Sequence, residues 1–112
     1  MLFRSRTFKL GDPQAIPALI QALGDRSENV RRAAAEALVK IGTPAVPPLI
    51  QALGHYWYDI RRAAAEALGA IGDPQAIPAL IQALGDSDWD VRRAARQAIQ
   101  QIQTKQSQTK RP

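Results

Sequence analysis

Residues 54–59, which read GHYWYD, hold most of the side chains in this sequence that could bind a partner or carry out chemistry. They include the only histidine and three of the four Trp and Tyr residues. Histidine can serve as a base or a metal ligand, and aromatic side chains are frequent anchors of protein interfaces. Because the surrounding sequence is mainly Ala, Leu, Ile, Arg and Gln, this stretch is the first candidate for a functional site.

Catalytic and metal-binding chemistry lacks most of the residue types that it requires. The absence of cysteine from the sequence excludes disulfides, thiolate nucleophiles and Cys-based zinc sites. The serines have only His55 as a possible base, and the sequence pattern brings no Ser-His-Asp triad together. No cluster of further ligands accompanies His55, so we predict that it is a loop residue. We therefore expect no catalytic residues, no metal site and no cofactor.

The positive charge belongs to the two ends of the chain. The formal net charge is +5, but residues 11–103 carry nine Lys or Arg against ten Asp or Glu, a net charge of −1. A basic folded surface is therefore not predicted, and a nucleic-acid partner is unlikely on this ground. No apolar run approaches the roughly 20 residues of a membrane span, and the basic N-terminus lacks the apolar core of a signal peptide. We expect a cytoplasmic protein without a membrane span.

The chain is built from a repeat of about 30 residues. Its first motif, GDPQAIPALIQALGD, occurs at 11–25 and at 72–86, with the shorter GTPAVPPLIQALG at 42–54. Its second motif is RRAAAEAL at 31–38 and 61–68, and RRAARQAI at 92–99. One residue is missing from the middle copy between Thr43 and Pro47, where a turn can lose it.

Each repeat contains two amphipathic helical patterns. The first places Ile16, Leu19, Ile20 and Leu23 on one stripe, after an Asp-Pro or Thr-Pro start. A second proline predicts either a bend or a late helix start. The second has alanines on its apolar stripe, which let helices approach closely. Six antiparallel helices in three pairs predict an all-α solenoid with a right-handed superhelical stack.

This organisation sets the predicted domain boundaries. The repeat domain spans 11–103, with repeats at about 11–41, 42–71 and 72–103. Residues 1–10 form a basic N-terminal segment, and residues 104–112 are predicted to be a disordered basic tail.

The motifs IGDPQAIPALIQALGDSDWDVRRAARQAI and VRRAAAEALGAIGDPQAIPALIQAL resemble the short HEAT-like repeat of phycobilisome-linked bilin lyases and similar artificial helical-repeat scaffolds. The resemblance covers roughly residues 11–103. It implies a ladder in which the Asp after each first helix and the Arg after each Val connect successive repeats. The Asp positions are Asp25, His55 and Asp86, and the Arg positions are Arg31, Arg61 and Arg92. His55 therefore breaks the ladder in the middle.

A second local rule is broken in the same turn. Ser27, Trp57 and Asp88 are equivalent, and Ser and Asp are good helix N-caps whereas Trp is not. Two broken rules in one turn favour a functional role for it.

The candidate binding site lies on the polar side of the second helices, which by resemblance lines the concave surface of the solenoid. Tyr58 and Trp89 are equivalent, so they should be neighbours, with Arg62 and Arg93 one turn further along. We predict these four as partner-binding anchors. The remaining candidates in the site are Asp59, Asp90, Glu66, Gln97 and Trp57. The alternative is that the aromatics only pack on each other or on arginine stems, and that Trp57 tucks under its turn.

The resulting prediction is a non-enzymatic module that binds a protein or peptide on the concave face of the second helices. The first alternative, from the resemblance, is a bilin-lyase-like or phycobiliprotein-associated factor, and the second is a nucleic-acid-binding solenoid. The N-terminal end lacks the polar cap that the last helix gives the other end with Gln97, Gln100, Gln101 and Gln103, so we also expect a weak homodimer through it.

Overall fold

Each repeat begins with a proline turn that tightens into a short helix. The fold is known from a computed structural model, which describes residues 12–109. Three-residue 3-10 helices, Pro13–Ala15, Thr43–Ala45 and Pro74–Ala76, lead directly into α1 (Ile16–Ala22), α3 (Val46–Ala52) and α5 (Ile77–Ala83). The second proline of each copy lies in the first turn of its α-helix, where its missing N–H costs nothing. The predicted late helix start is confirmed.

The second helices are longer and form the packed interior. They are α2 (Glu28–Ile41), α4 (Tyr58–Ile71) and α6 (Trp89–Thr109). The buried core consists of their alanine and aliphatic stripes and the aliphatic residues of the first helices. Each first helix packs on its own second helix, and successive second helices pack on one another. The all-α solenoid of three helix pairs is confirmed.

Helix α4 is the centre of the stack and makes its closest contact with α6 at Gly69. A Cβ atom added to Gly69 would lie 2.8 Å from the Cα and 2.9 Å from the Cβ of Ala98, and would also collide with the Gln101 side chain. Gly69 is therefore needed for space. Its counterpart Val39 on α2 is only partly buried, because α2 and α4 contact each other less extensively.

The missing residue of the middle repeat is absorbed by Gly42. Gly42 has φ 79° and ψ −134°, and it is at once the C-cap of α2 and the residue before the next 3-10 helix. Its counterpart Gly72 has φ 81° and ψ 15°, and Asp73 follows it as an additional linker residue. The backbone of Gly42 lies in a region open essentially to glycine alone.

The last helix continues beyond the predicted end of the repeat domain at residue 103. Helix α6 continues to Thr109, so the expectation that residues 104–109 are disordered is wrong. Lys105 explains part of this extension, because its ammonium donates a hydrogen bond of 2.9 Å to the carbonyl of Ile71 and so caps the end of α4. The predicted N-terminal segment 1–10, the dimer expected through it and residues 110–112 lie outside the described residues. None of the helices within 12–109 has the length and apolar character to cross a membrane.

Candidate functional site

The ladder between repeats is formed once in full, between the second and third repeats. The guanidinium of Arg61 donates from Nε to Asp86 Oδ2 at 2.9 Å and from Nη2 to Asp86 Oδ1 at 3.1 Å. Its Nη1 donates to the carbonyls of His55 and Tyr56, at 2.8 and 3.0 Å. Nη1 of the guanidinium thus holds the turn of its own repeat, while the edge formed by Nε and Nη2 binds the carboxylate of the next repeat. Only arginine offers this two-point geometry.

Asp86 is poised for this role by its surroundings. Burial raises the pKa of its carboxyl, but hydrogen bonds from Arg61 and from the Asp88 N–H, with the charges of Arg61 and Arg92, outweigh burial. The pKa therefore lies below its ordinary value of 3.8. Asp86 is ionised at neutral pH and remains a partner for Arg61.

The rung between the first and second repeats is incomplete, as the sequence predicts. Arg31 Nη1 donates to the carbonyls of Asp25 and Arg26, at 2.6 and 3.0 Å, just as Arg61 holds its own turn. In the next repeat, however, the acid position is His55. Within residues 12–109, Arg31 forms no ion pair with a carboxylate. The edge of its guanidinium that should take a carboxylate is therefore left without one.

His55 nevertheless keeps the shape of the turn. Its Nδ1 accepts a hydrogen bond of 3.0 Å from the N–H of Trp57. Asp25 accepts from Ser27 N–H at 2.8 Å and Asp86 from Asp88 N–H at 2.9 Å in the equivalent positions. The imidazole thus reproduces the local hydrogen bond of the aspartate and omits its charge, which sequence reasoning did not foresee.

The N-cap of α4 is missing, as predicted. Ser27 Oγ accepts from the Val30 N–H at 3.4 Å, and Asp88 Oδ1 accepts from the N–H groups of Asp90 and Val91, at 2.9 and 3.2 Å. Trp57, at the same position, makes no side-chain cap. The first turn of α4 therefore lacks a bond that is typically worth about 1 kcal/mol.

The aromatic residues of the turn form one exposed cluster, which consists of His55, Tyr56 and Trp57. The His55 and Tyr56 rings are stacked with centroids 5.3 Å apart, and Trp57 lies 6.0 Å from Tyr56 in a tilted arrangement. One edge of Trp57 packs over Gly24 of the preceding repeat, where an added Cβ would lie 3.1 Å from its Cε3. Trp57 is still 49% exposed, so it covers the turn on one edge only.

The four predicted anchors lie at the start of α4 and α6 and are accessible. Tyr58 is 46% and Trp89 60% exposed. Within the described part of the chain their rings do not stack on each other, which was one form of the alternative interpretation. The Arg93 guanidinium instead lies over the Trp89 ring, 5.4 Å from its centroid, in a cation–π arrangement.

Arg62 and the acidic candidates are arranged less tightly. Arg62 Nη2 lies 3.9 Å from Asp59 Oδ1, a long ion pair, and its Nε is buried without a hydrogen-bond partner among residues 12–109. Asp90 donates its backbone N–H to Asp88 and is half-buried at the start of α6. These residues are therefore partly committed to their own helices.

Two grooves run between successive second helices, and we call them together the trough. The groove between α4 and α6 has a volume of about 760 Å³ and that between α2 and α4 about 500 Å³. Glu66 and Ala70 of α4 line both grooves, so the two lie side by side. Of the predicted site residues, Glu66 and Gln97 line the trough, whereas the aromatic anchors do not.

Several residues that line the trough were not predicted from the sequence. They lie further along the helices than the predicted positions, and they are Val39, Lys40, Gln100, Gln101, Thr104 and Gln108. The polar stripe of the helical wheel continues through them, so extending the wheel by one or two turns would have found the glutamines. Within residues 12–109 there is no group of three His, Cys, Asp or Glu that could hold a metal ion.

Comparison with known proteins agrees with the repeat architecture. The family model for HEAT repeats matches the chain twice, over residues 6–57 and 46–110. No curated protein matches the chain. Since the two matches cover nearly its whole length, the chain belongs to the HEAT-repeat family.

Proposed function

We propose that the chain is a non-enzymatic interaction module that holds an extended segment of a partner protein in the trough. HEAT repeats commonly mediate protein–protein interaction. The observation that supports the trough in particular is the combination of its floor and its rim. The floor consists of small residues, among them Ala35, Ala67 and Ala70, so that a peptide main chain can approach closely.

The rim of the trough offers hydrogen bonds of both kinds. Gln97, Gln100, Gln101 and Gln108 line the α4–α6 groove, and each amide carries both a donor and an acceptor. An extended peptide exposes N–H and C=O groups that need such partners along its length. Glu66 and Lys105, with Glu36 and Lys40 of the α2–α4 groove, give the trough two charges of each sign, so it favours no strongly charged peptide.

The predicted anchors extend the trough toward the start of the helices. Arg62 precedes Glu66, and Arg93 precedes Gln97, by one helical turn. Tyr58 lies eight residues before Glu66 on α4, a distance of about 12 Å at the helical rise of about 1.5 Å per residue. About four extended residues would bridge that distance, so one peptide could occupy the trough and contact Tyr58, Trp89 and Arg93.

The test is peptide selection followed by blocking of the trough. A displayed library of random peptides is selected on the full chain, and enriched peptides are titrated against Ala70→Glu, which puts a bulky charge between the two grooves. Ala18→Glu, an equally exposed position on α1, is the matched control. We expect Ala70→Glu to weaken binding by about tenfold or more, and Ala18→Glu to leave it unchanged.

A second variant separates the trough from its aromatic end. Tyr58→Ala with Trp89→Ala should weaken the same peptides while the melting temperature stays close to that of the wild type. Equal binding to Ala70→Glu and to the wild type would refute the trough as the binding surface. The bilin-lyase-like and nucleic-acid-binding alternatives stay predictions.

A further inference from the structure

The two rungs of the ladder can be compared directly, because Arg61 has a carboxylate partner in the next repeat and Arg31 has none within residues 12–109. Arg61 and Arg31 occupy equivalent positions and hold their own turns with the same Nη1 atom. For Arg61 the edge formed by Nε and Nη2 is satisfied by Asp86 at 2.9 and 3.1 Å. For Arg31 the acid position of the next repeat is occupied by His55, which brings no negative charge.

The incomplete rung adjoins an apolar groove between α1 and α3. The groove has a volume of about 580 Å³, and its walls include Ile16, Ile20, Pro48 and Ile60, with His55 at its border. The corresponding groove between α3 and α5 has about 350 Å³ and is bordered by Asp86. The first groove is thus the larger of the two, and the residue at its border is His55, which replaces the acid of the ladder.

We propose that Arg31, His55 and the α1–α3 groove form a docking site for an acidic peptide segment of a partner protein. A carboxylate of the segment binds the free edge of Arg31, as Asp86 binds Arg61, and an aliphatic side chain beside it enters the groove. This surface is separate from the trough, which lies on the second helices.

Charge complementarity decides the chemistry of the occupant. A guanidinium already held by two backbone carbonyls loses little further freedom when it binds, so its two-point bond to a carboxylate is favoured. The apolar walls of the groove then favour an acid flanked by aliphatic residues over a highly charged run. The stacked His55–Tyr56 pair gives the peptide a flat surface beside the charge.

The probe is a pair of displayed hexapeptide libraries with random flanks, one with a central Asp and the other with a central Asn. We expect enrichment on the full chain from the Asp library, with leucine or isoleucine beside the acid. The best peptide should bind at least about tenfold more tightly than its Asn twin. No enrichment, or equal affinity of the two twins, would overturn the proposal.

Two substitutions at one position locate the site. His55→Asp supplies the missing carboxylate from within the chain, so it should compete with the peptide and weaken its binding by about tenfold or more. His55→Asn can accept the Trp57 hydrogen bond but carries no charge, so it should bind the peptide like the wild type. Equal affinities of the two variants would contradict the proposal. Equal affinities are also the result expected if the peptide binds Arg92 and not Arg31. The guanidinium of Arg92 likewise has no carboxylate partner within residues 12–109.

Discussion

Replacing Gly69 by alanine should destabilise the protein, although alanine is the better helix former. In an exposed helix interior, Gly→Ala is worth up to about 1 kcal/mol of stabilisation. At Gly69, however, the new methyl would lie 2.8 Å from the backbone Cα of Ala98, which cannot rotate away. Overpacking of this kind costs about 1–3 kcal/mol, so the expected net loss is about 1 kcal/mol.

Gly54 provides the matched control for this substitution. A Cβ atom at Gly54 would meet only the carbonyl oxygen of Gln51, at 3.6 Å, and Gly54 is not among the glycines with positive φ. Gly54→Ala should therefore be neutral or stabilising by up to about 1 kcal/mol, since it restricts the unfolded chain. The two substitutions should move the free energy of unfolding in opposite directions.

The assay is urea unfolding followed by far-UV circular dichroism, with the slope of the transition compared between variants. Gly69→Ala combined with Ala98→Gly should cost less than the sum of the two single substitutions, because Ala98→Gly removes one of the two crowded carbon atoms of Ala98. If Gly69→Ala instead stabilises the protein as much as Gly54→Ala does, the close contact between α4 and α6 at Gly69 is refuted.

Three further predictions concern Gly42 at the end of α2, Asp86 in the ladder, and the exposed aromatic residues Tyr58 and Trp89. Gly42→Ala should lower the free energy of unfolding by about 1–3 kcal/mol, measured by the same urea titration, because its backbone conformation is strained for any side chain. The pKa of Asp86 is lower in the folded than in the unfolded chain, so its stabilisation is present above about pH 3.8 and is lost as the pH falls through the folded pKa. Asp86→Asn should thus remove part of the acid dependence of the melting temperature, and an unchanged pH profile would contradict the ionised pair with Arg61. Tyr58→Ala and Trp89→Ala should each change stability by less than about 1 kcal/mol, since the two side chains are 46% and 60% exposed and lie outside the buried core, and a large fall in the melting temperature would place them in the core.

The helices were predictable because their signals are local and repeated. The Asp-Pro starts, the 3.6-residue stripes and the alanine positions each occur in more than one copy, and the structure confirms the helix pairs that they predict. The end of α6 was not predictable from composition, because the glutamine-rich segment after Ile102 looks solvated in isolation. Its helical state is accompanied by the long-range bond from Lys105 to Ile71, which no local pattern announces.

The candidate site was predictable in type but only partly in position. The helical wheel found Glu66 and Gln97, which line the trough, and it placed Tyr58 and Trp89 correctly on the exposed surface. It could not show that Trp89 pairs with Arg93 and not with Tyr58, because that depends on the offset between α4 and α6. The role of Nδ1 of His55 as a substitute for an aspartate oxygen likewise requires atomic geometry.

The middle repeat is the repeat in which the fold best tolerates a broken rung. The turn of His55 lacks a cap and an ion pair, which together amount to roughly 1–2 kcal/mol in a partly exposed setting. In the described part of the chain, α4 is packed between α2 and α6 and is buried at Ile60, Ala64, Ala67 and Leu68. A repeat supported from both sides can remain folded with a weakened turn, because its stability depends mainly on its interfaces with its neighbours. The broken rung between Arg31 of α2 and the turn of His55 therefore costs the stack little stability.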